Sequence, residues 1–140
     1  MGVAEKLPFA DSSFDMVTCV GSLEHVADPA QAVREMRRVA RPDAQMLIIV
    51  PNSRYIWAWI VHLRQWLFPA LSQPVERHAT RTQWQKLLSD NGLRVRAVHK
   101  DNHSYVPTRF LQTLGAAMGA LAPRELSYQF VFVVEPADVA

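Results

Sequence analysis

Two apolar runs, FDMVTCV at Phe14–Val20 and QMLIIV at Gln45–Val50, enclose a segment that carries both a helix start and a helix stop. No other feature restricts the fold as tightly. After Asp15 the first run is nearly all apolar, which predicts a strand buried on both faces, as in a parallel sheet. Between the runs, Asp28 can cap a helix, Pro29 suits its first position and Gln31 completes a capping-box spacing. The pattern predicts a helix over Asp28–Arg41. Val33, Met36 and Ala40 line one face, and Arg37, Arg38 and Arg41 complement the dipole at its C-terminal end before Pro42 stops it. Strand, helix and strand at this spacing make a βαβ unit, whose crossover is right-handed and whose strands are parallel.

The rest of the chain extends this unit. Arg54–Phe68 (RYIWAWIVHLRQWLF) predicts a very apolar helix ended by Pro69. A further helix starts near Thr80 or Thr82, each with Gln three residues on. Trp84, Leu87 and Leu88 face inward there, and Gly92 followed by Leu93 reads as a glycine C-cap. Leu93–His99 alternates apolar residues with Arg94 and Arg96, which predicts an edge strand half open to water. A small-residue helix over Thr108–Leu121 and a strand over Tyr128–Glu135 complete the order β-α-β-α-α-β-α-β, an α/β layered sheet.

Composition narrows the function classes. With 140 residues, 49% of them apolar, the chain suits one domain with a modest core. The formal charge of +2 comes from scattered Lys and Arg with no basic, aromatic-interleaved patch, so no nucleic-acid partner is expected. A single cysteine, Cys19, excludes an internal disulfide and fits a reducing, cytoplasmic setting. No stretch reaches the roughly 18 apolar residues of a membrane span, the first residues show no signal-peptide pattern, and the five histidines lack metal-site spacing.

Gly2–Asn52 links LPF-x-D-x-SFD, a strand, x-LEHV-x-D-P, a helix, R-P and an apolar strand ending in P-N. Together these elements resemble class I S-adenosylmethionine-dependent methyltransferases, and among them the small-molecule branch of ubiquinone and menaquinone biosynthesis. Arg77–Val98 and the closing YQFVFVVEP are similar to that family's later helix and strands. The resemblance implies a Rossmann-like sheet of which this chain supplies four strands, the fourth to the seventh. Two parallel strands are joined by a helix, then come an edge strand and a final antiparallel strand. It also implies that residues 1–140 form a single methyltransferase-like domain whose first three strands lie outside them.

The resemblance further implies a site at the C-terminal ends of the central strands, with S-adenosylmethionine as cofactor and a small molecule as substrate. Ala4 and Glu5 would sit beside the adenine, with Leu7 as an apolar wall. Val3 stands where the family often carries Asp or Asn, and its side chain cannot accept a hydrogen bond. Val20 and Gly21 would face the cofactor through their backbone, and Glu24 and His25 would stand at the mouth of the substrate pocket. Methyl transfer depends mostly on alignment, because the sulfonium is already activated. His25 is the candidate general base for a hydroxyl acceptor. None of the five glycines forms a Gly-x-Gly turn between strand and helix, the feature that receives the methionine end in this family.

Each of these residues also has a plainer explanation. His25 equally suits a polar link between strand and helix. Asp11 and Asp15 read as turn formers, Cys19 as core, and the arginines of 34–41 as a solvated helix face. The Trp-rich segment 54–68 suits core packing, a lid over an apolar substrate, or peripheral membrane contact. A strand 14–20 without its usual neighbour would invite pairing with another chain, including a homodimer.

Overall fold

The computed structural model describes residues 2–55, 66–67, 77–101 and 123–137. Strand β1 (Phe14–Val20) leads to helix α1 (Pro29–Val39) and strand β2 (Ala40–Pro51). Helix α2 (Arg81–Asp90) and strand β3 (Leu93–Asp101) follow. A 3-10 turn at Arg124–Leu126 precedes strand β4 (Gln129–Pro136). The sheet order is β1-β2-β4-β3, with β1 parallel to β2 and β4 antiparallel to both its neighbours. This is the expected architecture: a βαβ unit, then an edge strand, then a last strand inserted between them.

The caps lie where the sequence places them. The Asp28 side chain accepts from Gln31 N at 3.0 Å, with Pro29 at the first helical position. Thr80 and Gln83 form a reciprocal capping box at α2. Gly92, at φ +83°, provides the left-handed turn that ends α2. Arg94 and Arg96 project from β3 at the sheet edge, where both pair with Glu135 of β4.

One face of the sheet holds the core. Met46, Ile48 and Val50 of β2 and Phe130, Phe132 and Val134 of β4 alternate onto that face. They meet Val33 and Met36 of α1 and Trp84 and Leu88 of α2 in a single buried cluster. The indole Nε1–H of Trp84 donates to Pro51 O at 2.9 Å, so the largest core side chain buries no unmet donor.

Three expectations are corrected. Helix α1 ends at Val39 rather than Arg41, because Ala40 pairs with Phe14 and begins β2. Pro42 also disfavours helical backbone at Arg41, the residue before it. Strand β1 is not buried on both faces. Val17 and Cys19 pack on the core, while Met16 and Val20 are 64% and 59% exposed, because no described element covers that side. Finally, no helix starts at Arg54. Ser53 and Arg54 form a turn, with Arg54 N donating to Asn52 Oδ1 and Tyr55 N to Asn52 O. The remainder of the Trp-rich helix lies outside the described residues, except Trp66 and Leu67, which are helical and exposed. The helix expected over Thr108–Leu121 lies outside them entirely. The arginine alternation in β3 also contains a bulge between Val95 and Ala97, which leaves Arg96 as the unpaired residue.

Candidate functional site

Strands β1 and β2 are parallel, so their C-terminal ends open on the same side of the sheet, where open α/β sheets bind ligands. At the end of β1 the chain turns sharply. Gly21 takes φ +57° and donates to Ile49 O of β2 at 3.2 Å. Ser22 Oγ donates to Val20 O, and His25 N donates to Ser22 O at 3.0 Å, closing an elbow over residues 20–25. Leu23 anchors the elbow in the core at 1% exposure.

Glu24 is buried beneath this elbow, with Oε1 3.7 Å from His25 Nε2, while the imidazole is half-buried. Arg77 closes the elbow from the far side. Its N–H donates to Glu24 O at 3.0 Å, and its guanidinium donates to Val26 O and Ala27 O. Burial, then the nearby Glu24 carboxylate, pushes the Cys19 thiol up from its ordinary value. Cys19 is therefore held as a neutral thiol in the core, as the sequence suggests, and is a poor nucleophile.

The loop ahead of β1 lies along α1. Val3 O accepts from Lys6 N at 3.0 Å in a tight turn that leaves the Val3 side chain 62% exposed. Ala4 packs against the core. Glu5 reaches the start of α1, where its Oε1 accepts from Ala27 N at 2.9 Å and Asp28 N at 3.3 Å. The bond from its own N–H, then those from Asp28 and Ala27, lower its carboxyl from the ordinary value. The Glu5 carboxylate thus serves the helix N-terminus, and the residue offers a ligand its backbone more readily than its side chain.

Leu7 N donates to Glu35 Oε2 at 2.8 Å, and Leu7 O accepts from Arg38 Nη2 at 3.1 Å. Arg38 also binds Glu35 in a bidentate pair and reaches Phe9 O and Asp11 Oδ1. The Arg38 guanidinium, then the Leu7 N–H, hold the Glu35 carboxyl down to about 2.

Glu5 therefore joins two of the three groups singled out from the sequence. The loop with Val3, Ala4, Glu5 and Leu7 is bonded to Ala27 and Asp28, two and three residues after His25, while Val20 and Gly21 begin the elbow that holds His25. Four participants were not singled out: Arg77, Glu35 and Arg38, the last two read only as helix surface or not at all, and Asn52. Asn52 is 3% exposed at the end of β2, and its Nδ2 donates to Glu125 O and Ser127 O at 2.9 and 2.8 Å. Its only sequence signal was the P-N pair after an apolar strand. Among the described residues no cluster of His, Cys, Asp or Glu could hold a metal ion, and no helix is long and apolar enough to cross a membrane.

Residues 1–48 match the family model described as a methyltransferase domain. The uncharacterized methyltransferase YcgJ of Bacillus subtilis is 33% identical over 104 residues, covering 72% of this chain and 40% of that protein. The ubiquinone/menaquinone biosynthesis C-methyltransferase UbiE of Hahella chejuensis is 50% identical over 46 residues, covering 33% of this chain and 18% of that one. The chain thus spans less than half the length of these curated relatives. Among solved structures, a SAM-dependent methyltransferase of Thermotoga maritima, described as a possible histamine N-methyltransferase, superposes with a TM-score of 0.70. The match covers 98% of this chain and 62% of that one at 16% identity, a likeness of fold.

Proposed function

This chain belongs to the class I S-adenosylmethionine-dependent methyltransferases, and from that premise we propose that it carries the adenine and acceptor side of a methyl-transfer site for a small, apolar metabolite. The similarity to UbiE and to demethylmenaquinone methyltransferases favours the quinone-precursor branch. The observation that carries the reading is the junction beyond the end of β1, where the Glu5 carboxylate bonds the Ala27 and Asp28 N–H groups and so ties the 3–7 loop to the segment just after the elbow that holds His25.

These residues fit one side of the cofactor. Val3 and Val20 offer exposed apolar surface, and the positive φ of Gly21 turns the backbone at the strand end. The methionine end calls for backbone N–H donors from a Gly-x-Gly turn, and the five glycines of this chain include none. Bound S-adenosylmethionine supplies an activated methyl group. Val3, Ala4 and Leu7 would wall the adenine, and Val20 and Gly21 would face the cofactor through their backbone. His25 would accept the proton of a hydroxyl acceptor, its ring oriented by the Glu24 carboxylate 3.7 Å away. The remaining contribution is alignment and exclusion of water. The exposed Trp66 and Leu67 suit a lid over an apolar acceptor or contact with a membrane surface better than core packing.

The 140 residues alone are expected to bind the cofactor weakly and to be inactive. Calorimetric titration with S-adenosylmethionine tests this, and micromolar affinity would overturn it. Reading frame ahead of Met1 that encodes a strand followed by Gly-x-Gly would support the enzyme, a cytoplasmic protein in this reading. In that longer protein His25→Ala is expected to lower kcat for a hydroxyl acceptor while leaving cofactor affinity unchanged.

A second reading rests on β1. Among the described residues it pairs only with β2, and Met16 and Val20 are exposed beside its open edge. A non-catalytic remnant would use that edge to pair with another chain, including a second copy. A stop codon directly ahead of Met1, with a dimer in size-exclusion chromatography, would favour this reading. A monomer would count against it.

A further inference from the structure

We propose that Glu35 and Arg38 are positioning residues that hold the 3–11 loop in its cofactor-receiving shape before any ligand arrives; this rests on the reading of that loop as the adenine wall. Among the described residues, the long-range bonds that fix the loop run to α1 or to the two residues ahead of it, and most converge on this pair. Leu7 is gripped at both its N–H and its carbonyl, by Glu35 Oε2 at 2.8 Å and Arg38 Nη2 at 3.1 Å. Farther along, Arg38 Nη1 takes Phe9 O at 2.8 Å and Asp11 Oδ1 at 2.6 Å. The backbone continues the seam, with Ser12 N donating to Arg38 O and Ser13 N to Val39 O.

A loop whose main-chain groups are bound by a charged pair is fixed in its backbone path, whatever its side chains do. The pair itself is rigid. Arg38 meets both Glu35 oxygens at 2.8 Å, one helical turn apart, so the two side chains hold each other in the rotamers that meet Leu7. Glu5 fixes the other end of the same loop at the N-terminus of α1. With both ends held, Val3 and Ala4 lie in a short span whose geometry α1 dictates. A ligand meeting such a span has little ordering entropy left to offset.

The test compares the parent chain with Arg38→Lys, Arg38→Met and Glu35→Gln by amide NMR. The clamp predicts Leu7 N–H exchange roughly tenfold or more faster in Arg38→Met and Glu35→Gln. Arg38→Lys, which keeps charge but not the fork, is expected to behave like Arg38→Met rather than like the parent. Resonances of β2 and β4 staying in place certify the fold. Titration with millimolar S-adenosylhomocysteine then reads the loop directly, and the parent is expected to shift at Ala4, Glu5 and Leu7, with those shifts lost in the variants. Equal shifts in parent and variants would overturn the clamp and leave the adenine reading standing. No shift in the parent at these residues overturns both.

Discussion

Replacing Asn52 by Asp changes almost no volume, yet it should both weaken the fold and make its stability fall with rising pH. Asn52 is 3% exposed, and its amide N–H₂ donates to Glu125 O and Ser127 O while its Oδ1 accepts from Arg54 N. A carboxylate keeps the last bond and loses both donors. The Ser127 bond is the buried one, and leaving such a carbonyl unmet costs about 1–3 kcal/mol. Glu125 O is better solvated and adds less, so the loss at pH 7 is about 2–4 kcal/mol. The new charge would sit about 3 Å from two carbonyl oxygens, which raises its folded pKa above the unfolded value of about 3.9. A raised carboxyl binds more protons in the folded state, so the deficit is smallest below the unfolded pKa, where one O–H donor returns. The deficit then grows as pH rises through the folded pKa. Urea unfolding of parent, Asn52→Asp and Asn52→Ala, followed by circular dichroism from pH 3.5 to 8, checks this. Asn52→Ala should show a deficit that does not change with pH. An Asn52→Asp midpoint equal to the parent at pH 7, or a deficit that grows with acid, would refute the reasoning.

Three further outcomes are expected. The lowered Glu35 carboxyl contributes stability that is complete above its unfolded pKa and is lost as pH falls toward about 2, so the Leu7 amide shift should titrate near that value; a midpoint at 4 or higher would contradict the pairing. Gly92→Ala places a Cβ 2.6 Å from Arg37 Cδ and Nε at φ +83°. The left-handed strain and the displaced Arg37–Gly92 bond should together cost about 2–3 kcal/mol and lower Tm by roughly 5–10 °C in a thermal scan. Trp84→Phe leaves Pro51 O without its indole donor and should cost about 1–2 kcal/mol in denaturant unfolding, whereas Trp66→Phe on the surface should stay within about 0.5 kcal/mol.

The features that were legible in the sequence are those set within a turn or two of chain. Asp28, the Thr80–Gln83 box and Gly92 each act on backbone groups a few residues away, so their roles need no knowledge of the fold. The edge position of β3 was legible because Arg94 and Arg96 cannot both be buried. What failed depended on distant partners. Ala40 leaves the helix because Phe14 recruits it into the sheet, and the apolar run of β1 reads the same whether one face or two are covered. The fork of Arg38 was read as solvated surface, since the carbonyls it meets belong to a loop almost 30 residues earlier that carries no pattern of its own. The cap of α1 was legible because Asp28 is local to it, whereas Glu5, the second side-chain acceptor at that helix start, lies more than 20 residues earlier.

Methyl transfer asks a protein chiefly for alignment, so the scaffold's rigidity matters as much as the groups it presents. In the reading proposed above, that alignment would run through α1. Its N-terminus is held by Asp28 and Glu5, its third turn by the Glu35–Arg38 pair, and Arg37 reaches Gly92 O and Ala137 O at the ends of α2 and β4. The loop is joined to the segment that follows the elbow at the start of this helix, at Ala27 and Asp28. A small shift of α1 would therefore act on the 3–11 loop and on residues 27–28 together, while the elbow itself stays tied to the sheet by the Gly21–Ile49 bond and by Leu23 in the core. Loops bonded only to separate elements would leave the gap between the proposed adenine wall and the proposed proton acceptor set by each element alone. Tying the loop and the segment after the elbow to one helix start would couple two walls of the proposed site through α1.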